Sequence, residues 1–209
     1  MSTIILTSTV NVNTNIDYLH QTNSIDRIQT YLQSVLKWLY NTNFKIVLVE
    51  NSGYNFDELK KEKILFKDRF EIIVFNEKNV DKELFVHFSK GKHELFAINY
   101  AFNHSILLPS SNFIIKITAR FYIPEFEEYL STYDLTTYDC IVQNNRDRCE
   151  LVGCNYKYFS HIFSMCISNN YIENEYKYKT SIYKNILICK LFTIDATQRG
   201  GVNEIYTTI

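Results

Sequence analysis

Apolar residues in this chain fall into short continuous runs separated by longer amphipathic stretches. Thr3 to Val10 begins apolar and ends in hydroxyls, Phe44 to Val49 and Phe70 to Phe75 are rich in β-branched residues, and Phe113-Ile114-Ile115 is apolar throughout. Such runs predict strands covered on both faces, the pattern of a parallel sheet. Between the first two, Ser24 reads as the cap of a helix carrying Ile25, Ile28, Leu32, Val35 and Leu39, with Trp38 near the same face, ending at Asn41-Thr42-Asn43. A polar helix is predicted near Phe56 to Phe66, then a charged loop from Asn76 to Asp81. A third helix follows from Leu95, Phe96, Ile98, Ala101, Phe102 and Ile106, which repeat near the helical period. This order predicts an α/β fold, a single domain over 1–209 with a mainly parallel central sheet flanked by helices and those four strands as neighbours.

The second half alternates less clearly. Glu125 to Leu130 predicts a short helix with an acidic first turn, Asp139 to Gln143 a strand, Asn144 to Arg148 a polar loop, and Glu150 to Gly153 a short strand. Tyr158 to Ile167, which includes Met165, predicts a buried helix, and Glu173 to Tyr183 a more exposed one. Ile186 to Ile194 is apolar again and leads into Asp195-Ala196-Thr197-Gln198-Arg199-Gly200-Gly201.

In an open α/β sheet, ligands bind outside the carboxyl ends of the strands. Thr7, Ser8 and Thr9 close the first strand and could meet a base or ribose, or simply bond nearby backbone. Glu50 and Asn51 follow the second strand: a carboxylate there can accept from ribose hydroxyls and an amide can read a base edge, while an Asx turn with Gly53 at positive φ explains the same residues. Lys90-Gly91-Lys92 is expected just ahead of a helix start, with Glu94 in its first turn, where free N–H groups and two ammonium groups would welcome an anion. Arg120 arrives at or just past the end of the fourth strand. Arg199 beside Gly200 would let a guanidinium and backbone N–H groups reach a phosphate, or form only a terminal loop.

Composition narrows the classes. A formal net charge of −1 leaves no basic field to hold a polyanion, so nucleic acid is not an expected partner. No apolar run reaches the roughly 18 residues of a membrane span, and Met1-Ser2-Thr3 puts no basic region before Ile4-Ile5-Leu6, so the expectation is a cytoplasmic protein without a transmembrane segment. The 5 cysteines are odd in number and lack CxxC pairs, which suits reduced, mostly buried thiols. Neither G-x-G-x-x-G nor G-x-x-x-x-G-K-[ST] occurs, so neither the nicotinamide-type Rossmann cradle nor the P-loop is present.

The central stretch resembles a family of small nucleotide-sugar glycosyltransferases with the glycosyltransferase-A (GT-A) fold, found in bacterial polysaccharide clusters and large DNA viruses. That family carries a Lys-Gly-x-x-Glu helix start and a strand ending Lys-x-Thr-Gly-Arg-Tyr. Here the residues are Lys90-Gly91-Lys92-His93-Glu94 and Lys116-Ile117-Thr118-Ala119-Arg120-Phe121, with Ala119 and Phe121 departing from the pattern. The resemblance implies transfer of a sugar from a nucleotide-diphosphate sugar to a glycan or other hydroxyl acceptor, in the host cytoplasm if the chain is viral. It implies donor contacts from Lys90, Glu94 and Lys116. Many such enzymes hold a divalent ion with Asp-x-Asp after the central strand; Thr118-Ala119-Arg120 stands there instead, so a manganese or magnesium ion would need other ligands. The inferred substitute is Arg120, aided by Lys90 or Arg199, which would neutralise the leaving diphosphate. Asp147 or Asp195, each expected in a loop facing the cleft, are the candidate bases. A non-catalytic nucleotide-sugar or glycan-binding domain is the alternative, since it would need no base.

Overall fold

The computed structural model describes residues 2–13, 19–87, 89–166, 171–199 and 203–209. Among them a 7-stranded sheet has the order β3-β2-β1-β4-β6-β5-β7, and β8 and β9 form a separate antiparallel pair. The strands are β1 Ser2–Ser8, β2 Lys45–Glu50, β3 Phe70–Val74, β4 Phe113–Thr118, β5 Cys140–Val142, β6 Leu151–Asn155, β7 Ile186–Ile188, β8 Thr193–Gln198 and β9 Ile205–Thr208. The helices are α1 Ser24–Asn41, α2 Lys60–Leu65, α3 Glu77–Val80, α4 Lys82–Phe85, α5 Lys90–His104, α6 Phe126–Ser131, α7 Phe159–Ile162 and α8 Ile172–Ser181. β1 pairs in parallel with both β2 and β4, and β2 with β3, so the four predicted strands are neighbours. The sheet turns mixed beyond β4, where β6 runs antiparallel to both β4 and β5.

Alternation along the strands sorts side chains onto two cores. Ile4, Leu6, Ile46, Leu48, Ile115 and Ile117 face α1 and α6, where Trp38 and Phe126 complete the packing. Ile5, Val47, Val49 and Ile114 face the other way, against Leu95, Ile98 and Ala101 of α5 and Phe159 and Phe163 around α7. Lys116 shares the parity of Ile114, so the sheet turns its ammonium toward α5.

Several predicted elements shift. Asn23, not Ser24, caps α1, its side chain accepting from Ile25 N–H. The buried face of α1 runs through Arg27, Tyr31, Ser34, Val35, Trp38 and Leu39, while Ile25 is 63% exposed. The helix is rotated toward its bulky aromatics because Tyr31 and Trp38 bury more area than Ile25 could. The predicted loop at Asn76 to Asp81 contains the helical turn α3, capped by Asn76. α5 begins at Lys90, so Lys90, Gly91 and Lys92 are its first turn rather than a preceding loop, and Glu94 lies beyond that turn. Gly91 is tolerated there because Ile172 packs where a Cβ would sit, 2.6 Å from its position. Ile106 falls past the end of α5 and is 79% exposed. The predicted helix from Tyr158 is confined to one turn, α7, with Met165 exposed and Ile167 outside the described residues. The terminal segment forms the β8–β9 hairpin, so Asp195 lies in a strand and not a loop.

Candidate functional site

The carboxyl ends of β1, β2 and β4 lie side by side, and the polar residues placed there separate into three groups. Glu50, at the end of β2, is fully buried, and its carboxylate accepts from the N–H groups of Val10, Ser52 and Tyr54 at 2.8–2.9 Å and from the Ser52 hydroxyl at 2.5 Å. Burial holds the pKa of this carboxyl above its ordinary value, and the four donors offset only part of that rise. A carboxylate has about four lone-pair sites, so Glu50 is occupied in tying the loop after β1 to the loop after β2. Gly53 serves the same turn at φ +87.

The β1 hydroxyls bond inward too. Ser8 donates to the Val49 carbonyl, and Thr9 donates to Asn51 Oδ1 at 2.7 Å. Asn51 in turn donates to Glu77 Oε1 at 2.6 Å, and the other Glu77 oxygen lies 2.5 Å from His93 Nδ1. His93 Nε2 lies 2.7 Å from the His87 carbonyl. Only an N–H can face a carbonyl, so Nε2 carries a proton. Burial opposes a charge on this ring, but Glu77 outweighs it and holds the pKa above the ordinary imidazole value.

The second group is an ion pair beneath the strand ends. Lys116 on β4 is buried and meets Glu94 of α5 at 2.7 Å, and it donates to the Cys149 carbonyl at 2.7 Å. Thr7 donates to the same Glu94 oxygen at 3.1 Å. Burial works against the ammonium, yet Glu94 keeps its pKa raised. Lys90 is the half-buried first residue of α5.

The third group is cationic. Arg120, two residues past β4, is buried and donates from Nη1 to Gln21 Oε1 at 3.0 Å and to the Gln198 carbonyl at 3.1 Å. Arg27 of α1 is also buried and donates to the carbonyls of Thr9 and Gln21 and to the Tyr31 hydroxyl. Both guanidinium carbons lie within 6 Å of the Tyr31 ring centre, at 5.6 and 5.9 Å. Among the described residues, neither arginine has a carboxylate partner at ion-pair distance. Burial lowers the Arg120 pKa and Arg27 adds to that, with Tyr31 and the more distant Glu150 carboxylate opposing. Arg199 is different: it lies 3.3 Å from Glu150, which also holds Arg148 at 3.2 Å, and it donates to the Tyr206 hydroxyl at 2.8 Å. Gly200 lies outside the described residues.

No protein-family model and no curated protein matches the sequence. Solved structures do match in shape. An inferred nucleotide-diphospho-sugar transferase from Desulfovibrio desulfuricans superposes with a TM-score of 0.51 at 14% identity, over 90% of this chain and 79% of that one. The galactosyltransferase LgtC, solved with donor and acceptor sugar analogues, superposes with a TM-score of 0.52 at 8% identity, over 91% and 73%. The fold is glycosyltransferase-A-like.

In this GT-A-like frame the residues after β4 do not fit a divalent ion. Among the described residues no three metal-ligating side chains converge. Glu150, the carboxylate whose charge acts on Arg120, is already bound to Arg148 and Arg199, and Glu94 is bound to Lys116. Asp147 and Asp195 are exposed and paired with Lys177 and Lys37 respectively. Arg27 and Tyr31 were missed in the sequence; the signal was available, because a face drawn through Tyr31 and Trp38 carries Arg27 inward with them. Four of the five cysteines are buried thiols. Among the described residues, no helix is long and apolar enough to cross a membrane.

Proposed function

We propose that this protein is a glycosyltransferase that moves a sugar from a nucleotide-diphosphate donor to a hydroxyl acceptor, with guanidinium groups meeting the charge of the leaving diphosphate. The observation that carries this reading is the pair Arg27 and Arg120, two buried cations around one tyrosine ring at the carboxyl ends of β1 and β4, with no carboxylate at ion-pair distance among the described residues. Buried charges are ordinarily paired, so two guanidinium groups without a contacting carboxylate, with only Glu150 acting on Arg120 from further away, suit an anion supplied from outside. Arg27 is already bonded through all three nitrogens and acts through its charge, whereas Arg120 is the group to touch phosphate oxygens. The GT-A-like fold of solved sugar transferases supports the reaction class. Lys90, at the start of α5, and Arg199, although paired with Glu150, are proposed to flank the donor on the same edge, while Lys116, buried against Glu94, is proposed to act on it only from beneath.

Arg120 meets charge that grows in the transition state, so Arg120→Ala should lose turnover more than folding stability. Arg120→Lys should recover part of it, because an ammonium keeps the charge but not the planar fork. The test is calorimetry with a panel of nucleotide sugars in excess chelator, followed by a transfer and donor-hydrolysis assay on those that bind. Binding and turnover should survive chelation; turnover that depends wholly on restored manganese would sink the role given to Arg120. A second reading, a nucleotide-sugar-binding domain without turnover, is favoured by the two exposed aspartates, each already held in an ion pair with a lysine. Binding with neither transfer nor hydrolysis supports it. The cytoplasmic setting and the organisation of 1–209 as one glycosyltransferase-like domain belong to the same proposal.

A further inference from the structure

A second polar feature lies on the same edge of the sheet, beyond β4. β5 runs antiparallel to β6, which runs antiparallel to β4, so β5 points the same way as β4 and its carboxyl end, Val142-Gln143, opens on the same side. A hollow of about 10 Å³ there is lined by Gln143, Arg146, Arg148, Glu173, Tyr176 and Lys177 among others. Three of these side chains each have a buried polar atom without a hydrogen-bond partner among the described residues: Gln143 Nε2, Arg148 Nη2 and Tyr176 Oη. Gln143 and Tyr176 are each 3% exposed. An unmet buried donor is costly, so three among the residues lining one hollow point to a common acceptor.

The donors are held in place by their other bonds. Gln143 Oε1 accepts from Leu151 N–H, which orients the amide and leaves its NH₂ as the free end. Arg148 is fixed by Glu150 through Nε and by the Thr208 carbonyl through Nη1, with its guanidinium 4.0 Å from the centre of the Tyr206 ring. Arg146 reaches the Thr180 hydroxyl on α8. Lys177 pairs with the exposed Asp147, and Glu173, the carboxylate in the lining, has Arg199 at 4.0 Å.

We propose that this hollow is an oxyanion subsite, in which one oxygen of a carboxylate or phosphate group enters among Gln143 Nε2, Arg148 Nη2 and Tyr176 Oη while the remainder lies against Arg146 and Lys177. A hollow of this size suits a single oxygen, so the anion is the end of a larger molecule whose body stays outside. Glu150 links this subsite to the first site, because its backbone carbonyl accepts from Thr118 N–H at the end of β4 while its carboxylate holds Arg148 and Arg199. On the transferase reading, on which this step rests, the occupant is an acidic acceptor.

The experiment is a side-chain-resolved nuclear magnetic resonance titration of the full chain with acetate, with inorganic phosphate and, as control, with chloride at matched ionic strength. The Gln143 NH₂ signals should move saturably with acetate, phosphate or both, the effective anion identifying the class. Tyr176→Phe removes only an unpartnered hydroxyl, so it should fold at least as well as the parent and bind the effective anion roughly threefold to tenfold more weakly. Arg146→Gln, at a half-buried position, should weaken binding in the same direction. No saturable movement, movement equal to that with chloride, or an unchanged constant in both variants would overturn the subsite and leave the hollow as the seat of an ordered water. Uridine diphosphate, titrated in parallel and read at Arg120 Nε–H, separates the two ideas. Anion binding at Gln143 without diphosphate binding at Arg120 keeps the subsite and counts against the transferase, and the opposite result does the reverse.

Discussion

The strand ends of β1 and β2 and those of β4 and β5 are built from similar polar material and reach opposite conditions. At β1–β2 the Glu50 carboxylate has four donors, and Thr9, Asn51, Glu77 and His93 form an unbroken hydrogen-bonded line. At β4–β5, Arg120, with Arg27 of α1 beside the same tyrosine ring, has no counter-charge at ion-pair distance among the described residues, and Gln143, Arg148 and Tyr176 keep polar atoms unmet. The first region has satisfied its own demand and acts as scaffold; the second carries the demand that a ligand would meet. Residue type alone does not separate binding from structural polar groups, whereas the balance of donors, acceptors and charges does.

Removing one partner from the satisfied region should give the largest effect. Glu50→Ala strands three backbone N–H groups, and Glu94→Ala leaves the Lys116 ammonium buried alone; each should destabilise by about 3–5 kcal/mol in urea unfolding. A loss under about 1 kcal/mol for either would erase the contrast.

In the unsatisfied region, Arg120→Met should leave stability nearly unchanged, because it removes like-charge crowding with Arg27. It should weaken nucleoside diphosphate binding by about 1.5–3 kcal/mol, roughly tenfold to hundredfold by calorimetry. A large stability loss with unchanged affinity would show that Arg120 belongs to the scaffold.

His93 tests the line at β1–β2 through pH. Its folded pKa is raised above the unfolded value, so its stabilising contribution is full below about 6.5 and is lost as pH rises through the folded pKa. The stability difference between the parent and His93→Gln should therefore be larger at about pH 6 than at about pH 9; a difference that grows with pH would reverse the assignment of charge to that ring.

The smallest stability effects belong to Asp147→Asn and Asp195→Asn, exposed ion pairs worth less than about 1 kcal/mol. Turnover is the informative measurement here, since a general base would show a loss of about a hundredfold or more.

The sheet was legible because continuous apolar runs and helical periodicity are set by burial, which the sequence encodes directly. Lys116 was read only as the donor contact that the resemblance implies, although a lysine inside Phe113-Ile114-Ile115-Lys116-Ile117 must find a buried partner and strand parity aims it at α5, where it meets Glu94. The hairpin β8–β9 was not legible, because Thr193–Gln198 is mostly exposed and has no apolar run to announce it. The site was read from which residues stand at strand ends, and that placed Glu50, Thr7 and Thr9 correctly in space. It did not reveal that their polar atoms are already taken, Glu50 by Val10, Ser52 and Tyr54, Thr7 by Glu94 and Thr9 by Asn51, because most of these partners meet them only once the chain has folded. Arg27 was hidden by a helical face drawn through Ile25 instead of Tyr31.

Arg120 also fixes when the site can come into being. Its Nη1 is anchored by Gln21, 99 positions earlier, and by Gln198, 78 positions later. Closing segments of that length costs chain entropy before either bond is formed, which places such contacts late in folding. The strands around β1 can pair while the guanidinium is still unconstrained, so native secondary structure should return before the capacity to bind a diphosphate. In a refolding experiment, circular dichroism should recover ahead of nucleotide-dependent fluorescence, and the interval between them times the docking of the two distant glutamines.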